Sequence, residues 1–296
     1  MLTICANAPM RPSDAPFRRA SPPRDYGYTR RTPVSTTHKI PMSFVEFCAV
    51  NVRKELFQKR YGFQSDPYDV IVDREEAHRV RRLRRSLKQL RFDEGRVWER
   101  ERQRDAVDAP RLLMILYYAV CHTLDVVYAG KPIERFWFLE TIARMPYFSY
   151  VAVLHLYETL GWWELDSELK RAHHMEELNE THHLKIMESL GGDIHWWNRF
   201  LARHVAIVYF VVLLGLFLVS PRVAYLSSEL LERHAVDTYT EFYESNERIL
   251  RALPITEPVE AYSDAVANLY DVFVRIAFDE RLHADSMEHI RKLPNR

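Results

Sequence analysis

Glu180 and His183, and again Glu280 and His283, stand three residues apart, a spacing that puts both side chains on one helix face. Glu140 ahead of these pairs and Glu232 between them complete a set of four carboxylates and two imidazoles. Such a set suits two neighbouring cations. Carboxylates can bridge a pair of ions and offset their charge, and imidazole nitrogen favours iron or manganese over magnesium or calcium. Six protein ligands on two ions leave coordination positions open, as oxygen activation requires.

Chance accounts for about one Glu-x-x-His in a chain of this length, and Glu75–His78, in a charged stretch, reads as that accident. The other two pairs fall in long helical patterns. Glu140 interrupts an apolar run, Phe136-Trp137-Phe138-Leu139 before it and Thr141-Ile142-Ala143 after it. A lone carboxylate there is costly to bury, and a bound metal removes that cost. Spacing alone leaves Glu229, one turn before Glu232, as a competing ligand.

Placing these groups requires helices. Beyond Pro110 the pattern predicts six, near 112–129, 133–160, 165–190, 195–219, 222–251 and 260–291, punctuated by Gly161, Gly191–Gly192, Pro221 and Pro254. The second, third, fifth and sixth carry the candidate ligands. The expected fold is therefore all-α: a ferritin-like four-helix bundle with a di-iron carboxylate core, plus two apolar helices at a membrane interface. Those two contain Leu112–Ala129 and the uncharged Val205–Val219. At about 1.5 Å per residue the second run covers roughly 22 Å, short of the ~30 Å hydrocarbon core, so no full span is expected. Either both are ordinary buried helices, or both lie in one leaflet. The pairs Trp162–Trp163 and Trp196–Trp197 suit the leaflet reading.

The 296 residues divide into a leader over 1–42, an N-terminal arm over 43–110 and a helical domain over 111–296. The leader is rich in Pro and Arg and poor in acids, as in a disordered tail or an organellar transit segment. Arg79 to Arg91 predicts a basic amphipathic helix with Val80, Leu83, Leu87 and Leu90 on one stripe. It is either a solvated face or a contact for anionic lipid, and the acid-rich run after it would neutralise it. Lysine plus arginine equals aspartate plus glutamate, so no global field points to nucleic acid. Cys5, Cys48 and Cys121 are scattered, which argues against a disulfide framework or zinc site.

FLETIARMPYF, HLYETLGWW, NETHHLKIMESLGG, SPRVAY, LERHAVDTY and DERLH, in this order, resemble the plastid terminal oxidase branch of the alternative oxidase family. The resemblance implies an interfacial di-iron quinol oxidase, cyanide-resistant and not proton-pumping, which oxidises quinol (plastoquinol in this branch) and reduces dioxygen to water. It implies two iron ions held by Glu140, Glu180, His183, Glu232, Glu280 and His283. His183 is thereby preferred to His182, and Glu232 to Glu229. Tyr239, seven residues after Glu232, matches a tyrosine near the metals with a redox or proton-transfer role. Arg135 matches the quinol pocket, as do Asp125, Leu139, Ala235 and Thr238. His234 replaces an acid of mitochondrial members. The short connection from Leu253 to Asn268 suits an algal or cyanobacterial relative rather than a land plant. A homodimer on a thylakoid membrane would follow. The rivals from the ligand set alone are another di-iron hydroxylase or radical generator, or a non-enzymatic iron-binding helical membrane protein.

Overall fold

The computed structural model of the chain describes residues 42–61, 83, 85–163, 167–255 and 266–294. Nearly all of the leader, the pair Glu75–His78, and Arg79, Val80, Arg81, Arg82 and Arg84 lie outside these residues.

No strand occurs among the described residues. Helix α1 (Phe44–Tyr61) was not expected from the sequence. Its signal is a capping box: Ser43 and Glu46 exchange hydrogen bonds, Ser43 N to Glu46 Oε2 at 2.9 Å and Glu46 N to Ser43 Oγ at 3.3 Å.

The remaining helices are α2 (Glu94–Gln103), α3 (Arg111–Val127), α4 (Pro132–Thr159), α5 (Ser167–Ser189), α6 (Trp196–Val219), α7 (Pro221–Ser245), α8 (Glu247–Leu250) and α9 (Leu269–Lys292). Two antiparallel pairs form the bundle. In the first, Gly192 beyond the end of α5 meets Trp137 near the start of α4, while Tyr150 further along α4 meets His173 near the start of α5. A Cβ at Gly192 would fall 2.3 Å from Trp137 Cβ, so only glycine permits this approach. In the second, Arg291 late in α9 reaches Glu229 early in α7 at 2.9 Å, and Phe242 late in α7 packs on Phe273 early in α9.

Aromatic and aliphatic side chains fill the space between the pairs, Phe136, Phe242 and Phe273 around Tyr239 at one end and Tyr147, Tyr150 and Phe217 at the other. Helix α6 lies along α4 in the same direction, from Asn198 beside Tyr128 and Glu134 to Phe210 beside Phe148.

Three expectations need correction. The fifth predicted helix breaks at Asn246, because its side chain pairs with backbone: Oδ1 accepts from Arg91 N at 2.8 Å and Nδ2 donates to Arg91 O at 2.6 Å. This clamp also ends the basic helix early. Residues 85–87 are helical and 90–93 are not, although Leu83, Leu87 and Leu90 share the buried side as expected. The last helix starts at Leu269 rather than near 260. Asn268 caps it by accepting from Asp271 N, and residues 266–268 are not helical.

The acid-rich run after the basic stretch also does more than neutralise it. It is helix α2, laid across α7 with Arg104 on Asp237 at 3.2 Å and Arg100 on Glu241 at 3.8 Å.

Helices α3 and α6 turn apolar faces outward. Leu112, Ile115, Leu116, Val120 and Val126 are exposed on α3, and Ile207, Val208, Val211 and Val212 on α6. With 24 residues, α6 is longer than its uncharged core and spans about 36 Å. By length and composition it could cross a bilayer, contrary to the estimate from Val205–Val219 alone. The extra turns come from the Trp196–His204 segment, which carries both arginines of the helix, Arg199 and Arg203.

Candidate metal centre

Each bundle helix brings its glutamate inward at mid-height. Glu140 on α4, Glu180 on α5, Glu232 on α7 and Glu280 on α9 are all buried, together with His183 and His283 one turn after their glutamates. Their donor atoms form two groups, each drawn from within 4.8 Å: Glu140, Glu180, His183 and Glu280 in one, Glu180, Glu232, Glu280 and His283 in the other. Glu180 and Glu280 belong to both. A pair of metal ions would thus be held by those two carboxylates in common and by one private Glu–His pair on each side.

The chemistry of the donors fits such a pair. Glu140 Oε2, both oxygens of Glu180, Glu280 Oε1 and His283 Nδ1 are buried without a hydrogen-bond partner outside the cluster. Their closest approaches are to one another: His283 Nδ1 is 2.7 Å from Glu180 Oε1, and His183 Nδ1 is 3.2 Å from Glu280 Oε1. No lysine or arginine pairs with any of the six among the described ion pairs. Burial, then the charge of Glu180, pushes the Glu140 and Glu232 carboxyls up to about 7. Glu280 is raised well above the carboxylate range for the same reasons. Burial disfavours the charged His283, but Glu180 outweighs it and lifts the imidazole to about 9. Four buried acids thus share too little positive charge, a deficit that divalent cations would supply.

Outside the ligands, a tyrosine serves each half. Tyr239 on α7 donates to Glu140 Oε1 on α4, not to Glu232 on its own helix. Tyr147 on α4 donates to Glu232 Oε1 on α7 at 2.8 Å. Burial, followed by these carboxylates, raises both phenols well above their ordinary value, so both remain donors. Asp279 lies 3.4 Å from His183 Nε2 and is itself held by Arg275 at 3.2 Å and Asn179 at 3.3 Å. Such outer carboxylates fix the ring orientation of a metal-ligating histidine. Sequence reasoning missed Tyr147 and Asp279. The available signal for Tyr147 was its separation from Glu140, the same seven positions as between Glu232 and Tyr239.

Glu229, the competing ligand, is buried but committed elsewhere, to Arg233 at 3.2 Å and Arg291 at 2.9 Å. His182 is turned to the exterior, with Nδ1 near Leu178 O.

Of the expected quinol-pocket residues, Arg135 and Asp125 meet directly: the buried guanidinium donates to Asp125 Oδ1 at 2.6 Å. Trp98 of α2 donates to the other oxygen at 2.8 Å, and Phe92 lies 5.0 Å from the guanidinium. Leu139 and Ala235 border the same hydrophobic cluster. Thr238 is buried, with its hydroxyl donated to His234 O on its own helix.

Beside this group, Glu101 accepts from Tyr117 at 2.7 Å and lies 3.1 Å from His234 Nδ1. Burial alone would raise the Glu101 carboxyl, but the contacts with His234, Tyr117 and Arg104 hold it below its ordinary value of 4.5. Because the folded value is the lower one, its stabilisation is complete above that pH and is lost as pH falls through the folded value. Glu101→Gln is therefore expected to cost about 1–2 kcal/mol at neutral pH. Denaturant melts at a series of pH values should show this gap closing below about pH 4. A gap constant with pH would contradict the ionised contact.

The fold and the site together define a helical bundle with a buried carboxylate–histidine centre for two metal ions. Residues 103–292 match the family model described as "Alternative oxidase" and include all six candidate ligands. The chain belongs to the alternative oxidase family. It is 39% identical over 196 residues to Ubiquinol oxidase 4, chloroplastic/chromoplastic, of Arabidopsis thaliana, an alignment covering 59% of this chain and 56% of that relative. The chain thus spans about half the length of the curated relative it matches. The plastid branch, read from the sequence motifs, agrees with that similarity.

Proposed function

We propose that the protein is a membrane-surface quinol oxidase, in which two quinols are oxidised and one dioxygen is reduced to two waters. The observation that carries this reading is the pair of overlapping Glu/His groups in the bundle, with Arg135 five positions before Glu140 and apolar-faced helices on the outside. Iron bound by Glu140, Glu180, His183, Glu232, Glu280 and His283 would supply the electron transfer and oxygen binding.

The protein's own side chains do the rest. Glu180 and Glu280 hold the two halves at a fixed separation, and Asp279 keeps the ring of His183 in place. The exposed faces of α3 and α6 seat the protein in one leaflet, where a lipid-soluble quinol has access. Arg135 is oriented by Asp125 and Trp98, and its Nε, buried without a hydrogen-bond partner, is the donor for a quinol oxygen. Leu139, Ala235 and Thr238 form the walls beside it. Tyr239 keeps a proton on its phenol oxygen against Glu140, within reach of a reacting oxygen. The packed aromatic side chains around Tyr239 exclude bulk water.

Plastoquinol as donor, a thylakoid location, a homodimer, resistance to cyanide and the lack of proton pumping follow from the plastid-branch resemblance. The domain division at 42 and 110 belongs to the same reading.

Membranes carrying the protein are expected to consume oxygen when quinol is added in the presence of cyanide. Iron binding without quinol-dependent uptake would favour a storage role, and oxygen-dependent modification of another substrate would favour a hydroxylase. Either outcome overturns the oxidase.

A further inference from the structure

We propose that Tyr147 is a positioning residue for one half of the metal centre, the half built on Glu232 and His283. The inference rests on the di-metal reading above and assigns a support that its ligand set does not include. Glu140 and Tyr147 on α4 are seven positions apart, as are Glu232 and Tyr239 on α7. Seven residues are about two helical turns, so in each helix the tyrosine shares a face with its glutamate. The two helices are antiparallel, as Phe136 against Phe242 and Tyr150 against Ser228 show. Each phenol therefore arrives level with the opposite glutamate. The result is a crossed arrangement: Tyr239 donates to Glu140, and Tyr147 donates to Glu232.

Tyr147 contacts both members that are private to its half. Its hydroxyl holds Glu232 Oε1 at 2.8 Å, and its ring meets His283 at 5.6 Å with an interplanar angle of 65°. The residue is fully buried, and its other flank rests on His173. His173 is itself fixed by Glu176 and Tyr225, each at 3.0 Å. This backing leaves Tyr147 little freedom to rotate. With the phenol donating to Oε1, Glu232 is held in one orientation and would present its carboxylate to a cation in that orientation. The opposite half has different supports: Tyr239 on Glu140 and Asp279 on His183.

The test is an anaerobic titration of the metal-free full-length protein in detergent with Fe(II), followed by calorimetry, and with Co(II), followed by visible absorption. Wild type should take up two ions per chain. In Tyr147→Phe one ion should bind about 10–100-fold more weakly and the other as before, with only one Co(II) site's band altered. The ring is retained, so helical content should be unchanged. Tyr150→Phe removes a buried hydroxyl from the same helix, one that bonds Ala224 O and Ser228 but no ligand, and should leave both affinities intact. Tyr239→Phe should weaken the other ion. The proposal is overturned if Tyr147→Phe binds both ions as wild type does, or weakens both equally. A wild-type chain that binds no pair of ions would instead overturn the di-metal reading itself.

Discussion

Glu180→Ala is expected to empty both halves of the metal centre at once. Its oxygens belong to both donor groups, whereas Glu140, His183, Glu232 and His283 each belong to one. Removing a private ligand leaves the other group intact, but removing a shared one breaks the two together. It also takes from His283 the carboxylate 2.7 Å away and from His183 one 3.7 Å away. Iron per chain should fall from two to near zero, and quinol-dependent oxygen uptake by at least about a thousandfold, equivalent to about 4 kcal/mol of barrier. A ligand that binds only the folded state stabilises it by mass action. The rise in melting temperature that iron gives the wild type should therefore vanish in Glu180→Ala. Glu232→Ala should keep part of that rise and about one ion. Metal content measured on purified protein and thermal melts with and without iron decide the matter. Full iron content and undiminished uptake in Glu180→Ala would remove the shared-ligand account.

The second large effect concerns the membrane. Ile207→Asp combined with Val211→Asp is expected to release the protein from membranes while leaving its fold and metal content unchanged. Both side chains are well exposed, at 64% and 60%, on the outer face of α6, so aspartate there displaces no packing. In contact with hydrocarbon each charge costs roughly 2–3 kcal/mol, enough together to lower partitioning by about a thousandfold. Sedimentation of cell membranes should move the variant from pellet to supernatant, with two irons retained. Uptake supported by a long-chain quinol in vesicles should fall with it. A variant that stays in the pellet would show that this face does not anchor the protein.

The helical bundle was legible because helices are local. Glycine and proline punctuation located the first four long helices to within two residues at either end, and Glu-x-x-His spacing depends only on the 3.6-residue turn. Two boundaries failed: the start of the last helix, set by the local Asn268 cap, and the end of the fifth, set by a distant partner. Asn246 reads as an ordinary helical residue until its side chain is seen to clamp the backbone of Arg91, 155 positions away. The bounds of α6 were placed to within one residue, but its reach across a bilayer was underestimated because counting stopped where the charges begin.

For the site, the sequence by itself determined the kinds of candidate ligand, the helices that carry them and, with the motif resemblance, the preference for His183 and Glu232. Chain periodicity could not separate Glu229 from Glu232, since both are buried and stand three residues apart. Only the tertiary structure distinguished them, by placing Arg233 and Arg291 on the first and the cluster of candidate ligands around the second. It alone decided that Glu180 and Glu280 are shared, that Asp279 turns to His183, and that the tyrosines cross. These relations are distances between helices far apart in sequence. They depend on the rotation and height of each helix in the bundle, which are fixed when side chains from all four helices pack into one core.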